Sequence, residues 1–171
     1  TNPDNPVIGD RAFGSTRADV IRMGIPVMRG IQAAEVIPVV KHFPGHGDTS
    51  DDSHLGLPVV DHDIERLRRV ELPPFAAAIE QGADAVMVAH LLMSKLDPEV
   101  PASMSRIVIE HLLREQLQFD GVVITDDMTM GAITDNYDVG DASVGALQAG
   151  ADIVLIGHDP ELQRQALQSI R

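Results

Sequence analysis

A chain of 171 residues, with 44% hydrophobic and 23% charged residues, is long enough for one globular domain with a buried core. Its formal net charge of -13 argues against nucleic acid or an anionic membrane surface as a partner, because neither would attract it. The absence of cysteine excludes disulfides and thiolate chemistry, and no apolar run approaches the length of a membrane span.

The first elements predicted along the chain are a helix and a buried strand. After a turn-rich start, a helix with Ser15 or Thr16 as its cap is expected over about 16–34. Gly24 and Pro26 weaken its middle, so two short helices are the alternative. The apolar run 36–40 predicts a strand, and a loop to about residue 57 follows it. His, Asp, Lys and Gly are concentrated in this loop, and loops at strand ends often carry function on a rigid scaffold.

The rest of the chain alternates helices with strands. Asp63 is expected to cap a helix through Glu71, which Pro73-Pro74 restart and which then continues to Gly82. Further helices are predicted from Ser105 to about 117, before Gly150 and after Asp159, with strands over 85–89, 122–125 and 153–156. This alternation predicts a parallel sheet, with polar residues gathered beyond the carboxyl ends of the strands. Four such units are about half of a (β/α)8 barrel, which typically needs ~250 residues. We therefore expect residues 1–171 to form the C-terminal half of a TIM barrel, with the other half upstream.

Two carboxylates follow the third of these strands. Asp126 and Asp127 come directly after the run 122–125, where a strand would hold a carboxylate at the mouth of the barrel. Either of them could instead cap the following segment while the other is the reactive group. The spacing alone leaves both assignments open.

A second candidate pair lies on the loop after the first strand. Asp52 and His54 are two residues apart, so in extended backbone they would point to the same side, and the carboxylate could hold the imidazole. Such a partner raises the basicity of the imidazole and fixes its tautomer, which suits a proton donor near neutral pH. A solvated loop with an incidental Asp-x-His pair is the alternative interpretation.

Other polar residues at predicted strand ends have two interpretations each. Lys41 and His42 are expected to leave the first strand together, with the lysine binding ligand hydroxyls or simply reaching water. The guanidinium of Arg11 either donates hydrogen bonds to ligand oxygens or is a surface charge. His90 and His158 either line a pocket or are hydrogen-bonded core residues, and the core interpretation is favoured for His158.

Metal binding is a further alternative at this loop. Four side chains could be ligands: His42, His46, Asp48 and His54. No His-Glu-x-x-His or similarly fixed helical spacing occurs, so we expect neither a metal nor another cofactor.

Several motifs together resemble one known family. Residues 41–49 (Lys-His-Phe-Pro-Gly-His-Gly-Asp-Thr), followed by Asp-Ser-His at 52–54, closely resemble the signature of family 3 glycoside hydrolases. The branch is that of the bacterial β-N-acetylglucosaminidases, or β-hexosaminidases, of cell-wall recycling. Residues 119–128 resemble its nucleophile motif, 9–14 its arginine-containing loop and 71–75 one of its helices. The resemblance covers essentially the whole chain in the same order.

The resemblance implies a (β/α)8 barrel and a retaining double displacement on terminal β-linked N-acetylglucosamine. It makes Asp126 the nucleophile and His54 the acid/base, with Asp52 as the partner of His54. The residues that it implies for binding sugar hydroxyls are Arg11, Lys41 and His42. A phosphorylase with the same Asp and His is an alternative, and an inactive barrel fragment or sugar-binding module is an alternative of another class.

The expected partners are a small glycoside and the upstream half of the barrel. The chain starts in a loop and without Met, which predicts that it is a fragment. We expect a cytoplasmic protein, although a secretion signal could precede the fragment. The sequence does not indicate an oligomeric state.

Overall fold

A computed structural model describes residues 2, 5, 8–49 and 56–171. The strands within them are β1 (Val39–Phe43), β2 (Val59–Val60), β3 (Ala85–Val88), β4 (Leu92–Met93), β5 (Val122–Asp127) and β6 (Ile153–Leu155). The helices are α1 (Arg17–Ala33), α2 (Ile64–Arg69), α3 (Leu72–Glu80), a π-helix (Ile107–Gln116), α4 (Gly131–Thr134), α5 (Val139–Gln148) and α6 (Pro160–Ile170). Two 3-10 turns cover Gly9–Arg11 and Ala102–Met104.

The strands form a four-stranded sheet in the order β1-β3-β5-β6 and a two-stranded sheet of β2 and β4, all pairs being parallel. Helices connect the strands of the larger sheet, so the predicted βαβ units and parallel sheet are confirmed. Parallel strands need such crossovers because the chain must return to the same end of the sheet. The two-residue strands β2 and β4 were not predicted from the sequence.

The main core lies between this sheet and the helices on one of its faces. Alternate strand residues Val86, Val88 and Val123 are fully buried in one cluster with Leu67 of α2 and Leu113 of the π-helix. On the opposite face, side chains at the amino ends of the strands are more exposed. These are Val39 at 41%, Val122 at 39% and Ile153 at 45%. Burying the helix-facing valines stabilises the fold by about 1.5–3 kcal/mol for each side chain.

The first strand begins three residues later than predicted. Helix α1 ends at Ala33, Glu35 has a left-handed φ of 59°, and the Val36 N–H donates back to the Ile31 carbonyl. Val36 and Ile37 are consequently 58% and 69% exposed, so the predicted strand 36–40 is wrong in its bounds. Lys41 and His42 lie within β1, not after it.

Helix α1 is continuous through Gly24 and Pro26, so the predicted weak point does not break it. Of the two predicted caps, Ser15 and Thr16, the structure uses Thr16, whose side chain accepts a hydrogen bond from the Asp19 N–H at 3.2 Å. Met28 is its buried residue. The helix packs against α3, and much of its surface is open.

The helix predicted after Ser105 is a π-helix. Ser105 caps it as expected, since its hydroxyl accepts the Val108 N–H at 3.2 Å. At its carboxyl end the Leu117 N–H donates to the Leu112 carbonyl, five residues back. None of the helices in the described part of the chain is both long and apolar enough to cross a membrane.

Candidate active site

Polar side chains from neighbouring strands meet at one edge of the larger sheet. The strands are parallel, so their carboxyl ends lie at the same edge. The side chains found in or just after these ends are Lys41, His42, His90, Asp126, Asp127 and His158. The edge that the sequence predicted to carry the site is therefore rich in titratable groups.

Asp126 is held by its own neighbour and faces β1. Its Oδ1 accepts the main-chain N–H of Asp127 at 3.0 Å. Its Oδ2 lies 3.6 Å from Nε2 of His42, and its side chain is 16% exposed. One carboxylate oxygen is thus bonded to the main chain, while the other is directed towards the next site residue.

Asp127 has a different environment. Its Oδ1 accepts the N–H and the hydroxyl of Thr129, both at 2.9 Å, and the Gly157 N–H lies 3.4 Å away. Burial alone would raise the pKa of Asp127, but these bonds, with a smaller effect of His158, hold it below its usual range. Asp127 therefore fixes the turn after β5, which favours Asp126 as the reactive carboxylate of the pair.

Gly157 brings the loop after β6 against this carboxylate. A Cβ atom at Gly157 would lie 2.7 Å from Oδ2 of Asp127, closer than real Cβ atoms approach. His158, the next residue, has its Nε2 3.8 Å from the same oxygen and a side chain that is 87% exposed. The prediction that His158 is a core histidine is therefore wrong, because the loop turns it towards solvent.

His42 is a largely buried and neutral imidazole. Burial lowers the pKa of His42 to about 4, because the attraction of Asp126 does not offset the loss of hydration and the nearby cations also disfavour the charged form. Its ring lies 5.8 Å from the ring of His46 in an edge-on arrangement. A neutral imidazole carries one donor and one acceptor, which suits binding of a hydroxyl.

Arg11, Lys41 and His42 line one cavity of about 580 Å³. The cavity runs between α1, β1 and the segment 45–48, and apolar residues of α1 and β1 form much of its remaining wall. Asp126 is not part of its described lining but contacts His42 from β5. The structure therefore brings together the residues predicted to bind hydroxyls, with the candidate nucleophile beside one of them.

Asp52 and His54 belong to residues 50–55, which lie outside the described part of the chain. Their pairing and their roles stay predictions. The described chain leads up to them through His46 and Thr49, which are buried and bonded to each other, Nδ1 to Oγ1, at 2.7 Å.

A charged network that sequence reasoning missed holds the loop before these residues. Oδ2 of Asp48 lies 3.2 Å from Nη2 of Arg66 and 3.3 Å from Nε2 of His62, and Asn2 donates to its Oδ1 at 2.9 Å. The Asn2 hydrogen bond, together with Arg66 and His62, keeps the pKa of Asp48 below its usual value against the opposing effect of burial. No sequence pattern indicates these pairs, because Arg66 is 18 positions and Asn2 46 positions away from Asp48 along the chain.

The same network extends inward from Arg66 to Glu71. Nη2 of Arg66 donates to Oε1 of Glu71 at 2.9 Å, and the Glu71 side chain is only 6% exposed. Gly45 packs directly against Glu71 and has a φ of 138°, a conformation that favours glycine. The loop is therefore fixed against both α2 and α3.

His90 is the hydrogen-bonded core residue that one interpretation of the sequence predicted. Its ring is fully buried, with Nδ1 2.8 Å from Oγ of Ser103 and Nε2 3.1 Å from the main-chain oxygen of Asp127. Burial lowers its pKa, and the attraction of Asp126 and Asp127 only partly offsets that effect.

The structure gives no metal centre within the residues that it describes. No group of three or more His, Asp or Glu side chains in that part has a metal-binding arrangement. Of the alternative ligand set, Asp48 pairs with Arg66, and His54 lies outside the described residues.

Residues 1–170 match the family model described as the glycosyl hydrolase family 3 N terminal domain. The chain is 39% identical over 167 residues to a protein named beta-hexosaminidase from Hydrogenovibrio crunogenus, and the match covers 98% of this chain and 46% of that protein. The chain therefore spans about half the length of this curated relative.

Solved structures have the same fold. The structure of a glycoside hydrolase family 3 beta-N-acetylglucosaminidase from Paenibacillus sp. str. FPU-7 superposes with a TM-score of 0.96 at 52% identity, covering 99% of this chain and 32% of that chain. A beta-glucoside phosphorylase superposes with a TM-score of 0.89 at 27% identity, and the match covers 99% of this chain and 32% of the phosphorylase chain. Together with the family match, this likeness confirms the predicted TIM-barrel-like α/β fold.

Proposed function

This chain belongs to glycosyl hydrolase family 3, and on that premise we propose that it carries the catalytic groups of a retaining β-N-acetylglucosaminidase. The relative named beta-hexosaminidase and the β-N-acetylglucosaminidase of known structure support this substrate class. The observation that carries the mechanism is the position of Asp126, whose Oδ2 lies 3.6 Å from His42 at the carboxyl edge of the sheet.

A retaining enzyme needs a nucleophile on one face of the anomeric carbon and a proton donor on the other. In the first step, a carboxylate oxygen of Asp126 bonds to the anomeric carbon. The glycosidic bond breaks, and His54 gives its proton to the departing oxygen. In the second step, His54 takes a proton from water, whose oxygen displaces Asp126 from the sugar. Asp52 would hold the His54 ring in the orientation that both transfers need.

The sugar would be held mainly by groups that line the cavity. Arg11 and Lys41 would donate to hydroxyl oxygens, and the neutral ring of His42 would bind a hydroxyl beside the nucleophile. Since His42 is neutral, it leaves the negative charge of Asp126 available for attack. Arg11 and Lys41 would supply the positive charge of the site.

Further parts of the proposal concern the whole protein. We propose that residues 1–171 are about half of the catalytic barrel and that the remaining strands close it between the two edge strands, β1 and β6. The substrate would be a small glycoside derived from the cell wall, such as a muropeptide or disaccharide, and the protein would act in the cytoplasm. No cofactor takes part in the proposed steps.

Phosphorolysis is the second candidate function, because a beta-glucoside phosphorylase shares this fold. Its second step would use phosphate in place of water on the same glycosyl-Asp126. Product analysis with and without phosphate separates the two: hydrolysis gives free N-acetylglucosamine in both cases, whereas phosphorolysis gives the sugar 1-phosphate only with phosphate. An inactive or purely sugar-binding protein would bind N-acetylglucosamine without turnover.

The native polypeptide that contains this chain provides the main test. We expect it to hydrolyse an aryl β-N-acetylglucosaminide much faster than the matching glucoside, and Asp126→Asn to abolish the covalent intermediate. Asp127→Asn is the matched control, since it changes the adjacent carboxylate by the same atoms. Trapping of the intermediate on Asp127, or equal turnover of both glycosides, would contradict the proposal.

A further inference from the structure

We propose that His90 is a positioning residue that selects the attacking oxygen of Asp126. The inference rests on the proposed function, since it concerns the nucleophile of that reaction. His90 itself does not line the sugar-binding cavity described above: its ring is fully buried behind the carboxyl end of β5.

The hydrogen bonds of the ring define its tautomer. The partner of Nε2 is the main-chain carbonyl of Asp127, at 3.1 Å, and a carbonyl can only accept. Nε2 therefore carries the proton, and Nδ1 is an acceptor for the Ser103 hydroxyl at 2.8 Å. The ring is neutral, because burial disfavours its charged form. Both of its polar atoms are satisfied, so the ring has one preferred orientation.

The bond to Asp127 extends the contact between β3 and β5 past the end of the sheet. The pairing of these strands ends at Val88 and Thr125, so the main chain of Asp127 lies beyond the regular ladder on that side. Its carbonyl also accepts the Met130 N–H at 3.0 Å, which belongs to the local turn after β5. The His90 ring supplies the donor from the β3 side, and it thereby fixes this turn relative to the sheet.

Fixing this carbonyl also fixes the nucleophile. The N–H of Asp127 donates to Oδ1 of Asp126 at 3.0 Å, so residue 127 is held on one side by His90 and on the other holds the carboxylate. Oδ1 is thereby engaged, and Oδ2, which faces His42, is the oxygen left for attack. The N–H lies in the 126–127 peptide unit and the carbonyl in the next one, so His90 acts by holding the backbone of residue 127 between them. Rotation of the 126–127 peptide unit would release Oδ1 and let the carboxylate turn.

The support of His90 is itself rigid. Ser103 lies in the 3-10 turn Ala102–Met104 and is fully buried. This turn is tied back to the chain after β3, because the Ala102 N–H donates to the Leu91 carbonyl at 2.8 Å. His90 therefore links a fixed turn to the end of β5. We expect a displacement of the turn or of the His90 ring to change the position of the Asp126 carboxylate.

Variants of the native polypeptide test the inference by changing how far the side chain of residue 90 extends. The amide N–H of His90→Gln lies about as far from the main chain as Nε2 of histidine and can donate to the Asp127 carbonyl. The shorter side chain of His90→Asn can bond Ser103 but does not reach that carbonyl. We expect the glutamine variant to keep kcat/KM within about fivefold of wild type. The asparagine and alanine variants should lose about 10- to 100-fold, as expected for a misplaced reacting group. The loss should be in kcat, with unchanged binding of N-acetylglucosamine.

Leaving groups distinguish His90 from the acid/base. Loss of a proton donor slows substrates with poor leaving groups most, but a misplaced nucleophile slows good and poor leaving groups alike. We therefore expect His90→Asn to lower kcat/KM on both aryl and disaccharide substrates by similar factors. Equal activity of the glutamine and asparagine variants, or an effect confined to the disaccharide, would overturn the inference.

Nitrogen NMR of the wild-type ring provides a readout that needs no variant and no activity. At neutral pH we expect a protonated Nε2 and an unprotonated Nδ1 for His90, and the opposite tautomer would overturn the inference. If the wild-type protein does not turn over N-acetylglucosaminides at all, the proposed function fails. The NMR result still tests the tautomer of His90 and the hydrogen bonds inferred for it. If it is active but all His90 variants match it, only the role of His90 fails.

Discussion

Replacement of Gly45 by alanine should destabilise the protein through two separate effects. The φ of 138° at Gly45 is unfavourable for any residue with a Cβ, and such backbone strain costs about 1–3 kcal/mol. The new Cβ would also lie 2.7 Å from both Cβ and Cγ of Glu71, so one of the two segments must move by several tenths of an ångström. Movement of Glu71 would stretch its buried 2.9 Å contact with Arg66. Together we expect a loss of about 2–5 kcal/mol in the free energy of unfolding.

The same substitution at Gly30 is the matched control, because it should have the opposite sign. Gly30 lies inside α1, its φ is not left-handed, and a Cβ there would meet nothing within 4 Å. Alanine in an exposed helix interior is about 0.5–1 kcal/mol more favourable than glycine. Urea unfolding followed by circular dichroism measures both variants. A change of the same sign in the two variants, or a Gly45→Ala loss below about 0.5 kcal/mol, would refute the reasoning.

Three further predictions concern single side chains. Asp127→Ala should lower the free energy of unfolding by about 2–4 kcal/mol in urea titrations, because the bonds from Thr129 lose their acceptor, whereas Asp127→Asn keeps an acceptor oxygen and should cost less than half as much. The pKa of Asp48 is lower in the folded protein than in the unfolded chain, so its contribution to stability is present above the unfolded value of about 4 and is lost as the pH falls towards the folded value. Asp48→Asn should therefore make the free energy of unfolding depend less on pH in that range. An unchanged pH dependence would contradict this. Leu113→Ala should cost about 2–5 kcal/mol by thermal or urea unfolding, since Leu113 is fully buried in the main core, while a loss under about 1 kcal/mol would mean that the core closes around the gap.

The sequence predicted the alternation of strands and helices well, because local signals carry it. Apolar runs indicated the strands β3, β5 and β6. Residue type and position indicated a cap at Asp63, a helix start at Asp159, and a cap at either Ser15 or Thr16, of which the structure uses Thr16. Each cap depends on a hydrogen bond to a main-chain N–H two or three residues away. Such short-range chemistry can be inferred without knowing the rest of the fold.

Features that depend on distant partners were not predictable in this way. The bounds of β1 were wrong because a left-handed Glu35 delays the strand, and apolar Val36 and Ile37 gave no sign of this turn. The pairing of Arg66 with Asp48 and Glu71 depends on the packing of α2 against a loop. His158 was misjudged because its burial depends on what packs over the end of its strand. The turn that carries Ser103 covers His90, whereas the side chain of His158 is 87% exposed.

The residues of the candidate site were predicted from the sequence, but the environment of each side chain was not. The motif resemblance gathered Arg11, Lys41 and His42, and the structure lines one cavity with them. The spacing alone left Asp126 and Asp127 open, and only the resemblance selected Asp126. In the structure both lie at the end of β5 and differ in their hydrogen bonds, but the role of Asp126 stays a prediction. The neutral state of His42 likewise follows from its burial, which residue type does not reveal.

The close approach of Gly157 to Asp127 has a practical consequence for engineering this protein. Loops after the strands of a barrel are the natural place to redesign substrate preference. Grafting a foreign loop after β6 would disturb Asp127, the neighbour of the proposed nucleophile, unless position 157 remains glycine. A library that varies this loop should therefore hold that one position constant and randomise from His158 onwards, where the side chain already points to solvent.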